Sequence, residues 1–158
     1  MESKIKLISI LWSIFIFGNI QASWFNSGGY SDCVIENTKK VTIKNAINKI
    51  DAECARKYSE TIPKNELKKL DGKAGVINTT GLTLAIQLYN GTDYNLTNVV
   101  VEVEGGGTKK RIYSFDLLAH SNNSINPYST DNIYTDAFSL KEKQKITWSI
   151  ISAKGYKK

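Results

Sequence analysis

Cys33 and Cys54 are the only cysteines among 158 residues, and their types and spacing set the first chemical question. Redox or metal chemistry would want Cys-x-x-Cys or a set of four ligands. The spacing here is far from the former, and a single histidine, His120, cannot complete a zinc set. In a chain bound for an oxidising compartment such a pair closes into a structural disulfide. Closing a loop of roughly 22 residues removes about 3.4 kcal/mol of unfolded-state entropy. A small helical unit would depend on it.

Other groups suggest chemistry that their surroundings do not support. His120 lies in His120-Ser121-Asn122-Asn123-Ser124 with Asp116 nearby, but no nucleophile-elbow sequence accompanies it, so it reads as a solvated loop histidine. Glu102 and Glu104 share one face of a strand, the usual mark of its wet side. Gly105-Gly106-Gly107 precedes Lys109-Lys110-Arg111 without the Gly-Lys-Ser/Thr ending of a phosphate loop. That stretch reads as a hairpin tip with a basic flank, making Lys109, Lys110 and Arg111 the candidate binding residues. Asn78, Asn90, Asn95 and Asn122 begin glycosylation patterns but read as turn residues. The sequence assigns no catalytic residue, metal ligand or cofactor.

An export signal explains the N-terminus. Lys4 and Lys6 precede an apolar run from Leu7 to Ile20, and Gln21-Ala22-Ser23 offers small residues for cleavage after Ala22. The run of roughly 14 residues falls short of the ~17 to 20 that span a bilayer. The alternative is an inner-membrane anchor through residues 7–20, with Trp24 and Phe25 at the interface. Removing residues 1–22 takes Lys4, Lys6 and Glu2, so the net charge falls from +6 to +5. That charge suits solvation first and an anionic neighbour second.

The elements that must position these groups change character near Leu70. Ile43, Ala46, Ile47, Ile50, Cys54 and Tyr58 recur at helical spacing, predicting a helix from about Ile43 to Tyr58 with Thr42 as its N-cap. A shorter helix is expected from Asp32 to about Thr38, capped by Ser31, with a bend at 39–42. Cys33 and Cys54 would then face each other across an antiparallel helical hairpin.

Tyr30-Ser31-Asp32-Cys33-Val34-Ile35-Glu36-Asn37-Thr38-Lys39-Lys40-Val41-Thr42, followed by Ala46, Ile50 and Ala52-Glu53-Cys54-Ala55-Arg56-Lys57-Tyr58, resembles an element of small exported bacterial proteins. The resemblance covers about 30 residues and implies export and the hairpin, but no activity. Ile43 and Lys44 depart from the small or acidic residues common after Val-Thr in such segments.

Residues 63–80 turn to Lys, Asn, Gly and Thr and read as a linker or packed connection, with one helical turn around Glu66, Leu67 and Leu70. Lys64, Lys68 and Lys69 would be its solvated face. Beyond Gly81 the period falls to two: Leu82 to Leu88, Val99 to Val103, Tyr113 to Leu117, Ile133 to Phe138 and Ile146 to Ile150 predict short antiparallel strands. The fold class expected is α+β, a disulfide-closed N-terminal helical hairpin followed by an antiparallel β-sandwich. Its divisions would be a signal peptide over 1–22, the hairpin over 23–62, the linker over 63–80 and the sandwich over 81–158. The stretch 88–103, with Asn90-Gly91-Thr92 before a valine-rich strand, resembles paired strands of immunoglobulin-like or fibronectin-like domains. The antibody cysteine pair is absent from it.

The functional expectation is an exported, non-catalytic envelope binding protein, periplasmic or secreted. The alternative is a small cell-wall hydrolase or inhibitor. Its partner would be an envelope protein or an anionic envelope surface, with membrane association through the N-terminal segment. Export argues against nucleic acid. Lys141, Lys143 and Lys145 suit a protected edge strand.

Overall fold

A computed structural model describes residues 28–39, 41–78, 81–105, 109–120, 124–136 and 145–158. The export signal or anchor read on 1–22, and Phe138, Lys141 and Lys143, lie outside the described residues. Among the described residues no helix is long and apolar enough to cross a membrane.

Two helices open the fold, α1 (Tyr30–Thr38) and α2 (Lys44–Tyr58). Nine residues are too few for a helix to persist alone, so α1 relies on what it packs against. Cys33 and Cys54 are bonded, with their Cα atoms 5.8 Å apart, and cross-link the start of α1 to the end of α2. Neither predicted cap is used. Helix α1 starts one residue before Ser31, because Gly29 is extended and its carbonyl accepts the Cys33 N–H at 3.1 Å. At α2 the Ile43 carbonyl accepts from Ala46 and Ile47, leaving Thr42 outside and the Ile43 side chain in solvent rather than on the apolar stripe. That stripe is carried instead by Ile50, Cys54, Ala55 and Tyr58.

Two antiparallel sheets follow. One has the order β1 (Glu60–Thr61), β7 (Ile146–Tyr156), β4 (Asn95–Gly105), β5 (Arg111–Asp116); the other has β2 (Leu70–Asn78), β3 (Leu82–Asn90), β6 (Ser129–Asp136). Short helical turns α3 (Lys64–Leu67) and α4 (Leu117–His120) lie between strands. Alternation drives the layering: Leu84, Ile86 and Leu88 of β3 and Val99, Val101 and Val103 of β4 are all buried in one core with Leu96, Phe115 and Ile125. The α+β class with a hairpin and a sandwich stands.

The stretch 63–80 is more than a connection. Its residues 70–78 form β2, paired with β3 from Leu70↔Asn90 to Asn78↔Leu82. Gly72 and Gly75 disguise the strand as a turn sequence, yet a Cβ at Gly72 would sit 2.1 Å from the Gln87 carbonyl oxygen. Glycine is there because two strands approach closely.

The period-two pattern also breaks within strands. Thr97 of β4 and Ile151 of β7 are extra residues in the β4–β7 register. In β7 the bulge switches the core-facing set from Ile146, Trp148 and Ile150 to Ala153. Leu117, expected to end a strand, instead begins α4. The stretch 88–103, read as paired strands, is divided between the two sheets.

That crossing is held by Asn90 and Thr92, both fully buried. Asn90 Nδ2 donates to the carbonyls of Tyr94 at 2.7 Å, Ile125 at 3.0 Å and Asn126 at 2.9 Å. Its Oδ1 accepts from the Thr92 amide and hydroxyl, and the hydroxyl oxygen accepts the Tyr94 amide. The buried polar side-chain atoms of Asn90 and Thr92 are thereby all partnered within the chain.

Candidate functional site

The basic cluster lies at the β4–β5 tip, where Lys109, Lys110 and Arg111 are exposed. Lys110 Nζ reaches Glu102 Oε1 at 2.7 Å, and this contact raises the affinity of the ammonium for its proton. One of the three cations is thus engaged on its own hairpin. Glu104 is exposed on the same strand, so the tip is of mixed sign.

Asp116 is occupied structurally. Its Oδ1 accepts the amides of Leu118 and Ala119, starting α4, and its Oδ2 is 3.7 Å from Arg56 of α2. The His120 side chain and residues 121–123 lie outside the described residues. Asn90 and Asn95 are buried, so neither is an accessible glycan acceptor, and they end β3 and begin β4 rather than lying in a turn as expected. Among the described residues no three His, Cys, Asp or Glu side chains gather around a metal position.

The hairpin is seated on the outer face of the β7–β4 sheet. Tyr30, Cys33, Cys54 and Ala55 form one buried cluster with Leu118 and Tyr156. Tyr30 donates its hydroxyl to Asp51 across the two helices. Burial, then this hydrogen bond, push the Tyr30 phenol well above the ordinary tyrosine range. At the junction, the Ser59 and Thr97 hydroxyls lie 2.7 Å apart.

A groove opens on the opposite side of β7. Beyond Thr61 the chain makes one further bond to β7, Ile62 N–H to the Ala153 carbonyl at 3.0 Å, and then leaves it at Pro63. Helix α3 and the start of β2 lie beside the strand without pairing with it. The resulting groove holds about 530 Å³ and is lined by Leu67, Leu70, Trp148 and Ile150, with Lys64 and Lys68 on its wall. Leu67, Trp148 and Ile150 are only half-buried, although they pack on the core. The sequence shows Trp148 and Ile150 as strand residues, but not that their strand lacks a neighbour. One signal was present: Ile146-Thr147-Trp148-Ser149-Ile150-Ile151-Ser152 has no charge.

No protein-family model matches the chain, and neither a curated protein nor a solved structure matches it.

Proposed function

We propose that the chain is an exported envelope binding protein that performs no chemistry and engages its partner through the sandwich. The observation that carries this reading is the groove between β2 and β7, an apolar floor with two lysines on its wall. The Cys33–Cys54 bond points to an oxidising compartment, which supports a periplasmic or secreted location. The likeness of residues 30–58 to small exported bacterial proteins supports the same location.

The strand order supports an immunoglobulin-like reading of the sandwich. Strands β2, β3 and β6 form one sheet, β1, β7, β4 and β5 the other, and the chain crosses between them after β1, β3, β5 and β6. Such folds host many functions, so the site rather than the fold carries the proposal. The exposed Lys109 and Arg111 would add salt-dependent attraction to anionic envelope surfaces.

A photo-crosslinking residue in place of Leu67 tests this in cells. Envelope adducts are expected there, and none from the same residue at Thr130 on the far edge of the other sheet. No adduct at Leu67, together with turnover of peptidoglycan or ester substrates by the purified protein, would overturn the binding reading in favour of a hydrolase.

A further inference from the structure

Strand β7 is paired with β4 from Ile146↔Gly105 to Tyr156↔Asn95, but on its other side β1 and the following Ile62 cover only Ala153, Lys154 and Gly155. From Ile146 to Ser152, roughly 23 Å of strand edge therefore carries no neighbouring strand among the described residues. Edges of this kind are ordinarily protected by charge or proline. The other long edge strands follow that rule: β2 has Asp71 and Lys73, β5 has Arg111 and Asp116, and β6 has Asp131 and Asp136. The open stretch of β7 alone has neither a charge nor a proline.

The groove runs beside this edge. A strand added to β7 would set alternate side chains onto Leu67, Leu70 and Trp148, and leave the intervening ones in solvent. The wall of the groove selects by charge. Lys64 and Lys68 line it, and among the described residues neither has an ion-pair partner. The lining acid, Asp71, has one carboxylate oxygen on the neighbouring Gly72 amide.

We infer that this edge and groove receive an extended segment of another protein, apolar at alternate positions and carrying carboxylates where it passes α3, which completes the sheet next to β7. Main-chain hydrogen bonds to β7 would supply affinity, and the apolar floor and lysine wall would supply selection. The inference rests on the binding reading above and names the class of partner.

The probe is the acetylated, amidated peptide Glu-Glu-Val-Thr-Val-Thr-Val-Glu-Glu, titrated calorimetrically into the purified chain and followed by amide hydrogen exchange. Its acidic residues at both ends serve either strand direction. Binding is expected, with exchange slowed at Ile146–Ser152. The analogue with four terminal lysines should bind about tenfold more weakly or worse. Of two analogues, one N-methylated at the threonines and one at the first and last valines, the one whose methyl groups face β7 should lose binding through its missing donors. Lys64→Glu with Lys68→Glu should reverse the preference between acidic and lysine peptides, and Lys64→Gln with Lys68→Gln should abolish it; both pairs are exposed changes.

Failure of the acidic peptide to bind, equal binding of both peptides, or protection confined to another element would overturn the inference. A dimer in which the Ile146–Ser152 amides are already protected would overturn it too, since a second copy would then fill the edge. Crosslinked adducts at Leu67 without peptide binding would sink this inference while leaving the binding function standing.

Discussion

The ring of Tyr30 lies 4.2 Å, centroid to centroid, from that of Tyr156, so the first residue of α1 packs against the last residue of β7. Lys158 lies over the Tyr30 ring from the solvent side at 6.0 Å. The contact joins the disulfide-closed hairpin to the sandwich through two aromatic rings.

An alkaline weakness follows from it. The Tyr30 phenol is held neutral in the folded protein, by burial first and by its bond to Asp51 second. A proton held more tightly in the folded state gives stability that is complete below the unfolded value of 10.0 and is lost as pH rises above it. Urea midpoints should fall between pH 9 and 11.5 with a component of up to about 1.4 kcal/mol per pH unit that Tyr30→Phe removes. An identical alkaline slope in Tyr30→Phe would show that another group is responsible.

Replacing Cys54 by Ser should cost about 3 kcal/mol, because the freed loop regains unfolded-state entropy. Limited proteolysis should cut first between Tyr30 and Tyr58 while residues 82–156 persist. Simultaneous loss of both parts would mean that the Tyr30–Tyr156 cluster makes them one cooperative unit.

Asn90→Ala should be among the most damaging single changes, at about 3 kcal/mol or more, since it strips partners from several buried backbone groups at one crossing. Asn95→Ala, which removes a single bond at 3.4 Å to the Tyr156 carbonyl, should cost about 1 kcal/mol. Chemical denaturation of the two variants checks the order. Equal losses would place the crossing's stability elsewhere.

Tyr128 adopts φ 56°, a left-handed conformation disfavoured for a bulky side chain, and its hydroxyl is held by Asp93. Tyr128→Ala loses the bond and keeps most of the strain, whereas Tyr128→Gly loses the bond and relieves it. The glycine variant should be about 1 kcal/mol more stable than the alanine variant. The reverse order in thermal melts would locate the native preference in the side chain.

The sequence made some of this legible through residues whose chemistry is local. The α2 stripe and the valine alternation of β4 each act over a turn or a few residues, and the two cysteines, 21 residues apart, have no other partner to choose; each predicted its element. What escaped depended on partners distant in the chain. Gly72 of β2 reads as a loop residue because its purpose, close approach to β3, is visible only across the sheet; Gly75 has open space where a Cβ would sit. The caps at Ser31 and Thr42 failed because Tyr30 is anchored by Tyr156 and Ile43 supplies its backbone carbonyl. The alternation from Ile146 to Ile150 predicts the strand that carries Trp148, but the missing neighbour of β7 follows from Pro63 turning the chain away, a tertiary event without local periodicity. The basic triplet gave no hint that Glu102 would take Lys110.

The position of β7 has a kinetic consequence. It is the last strand in sequence, yet it sits inside its sheet between β1 and β4 and contributes Tyr156 to the hairpin cluster. Neither the β4–β7 ladder nor the seat of the hairpin exists until this strand arrives. Contacts so remote in sequence form late, and a nascent chain lacking them stays open and vulnerable to chaperones and proteases. On the export route proposed above, that delay would keep the chain open until β7 had crossed.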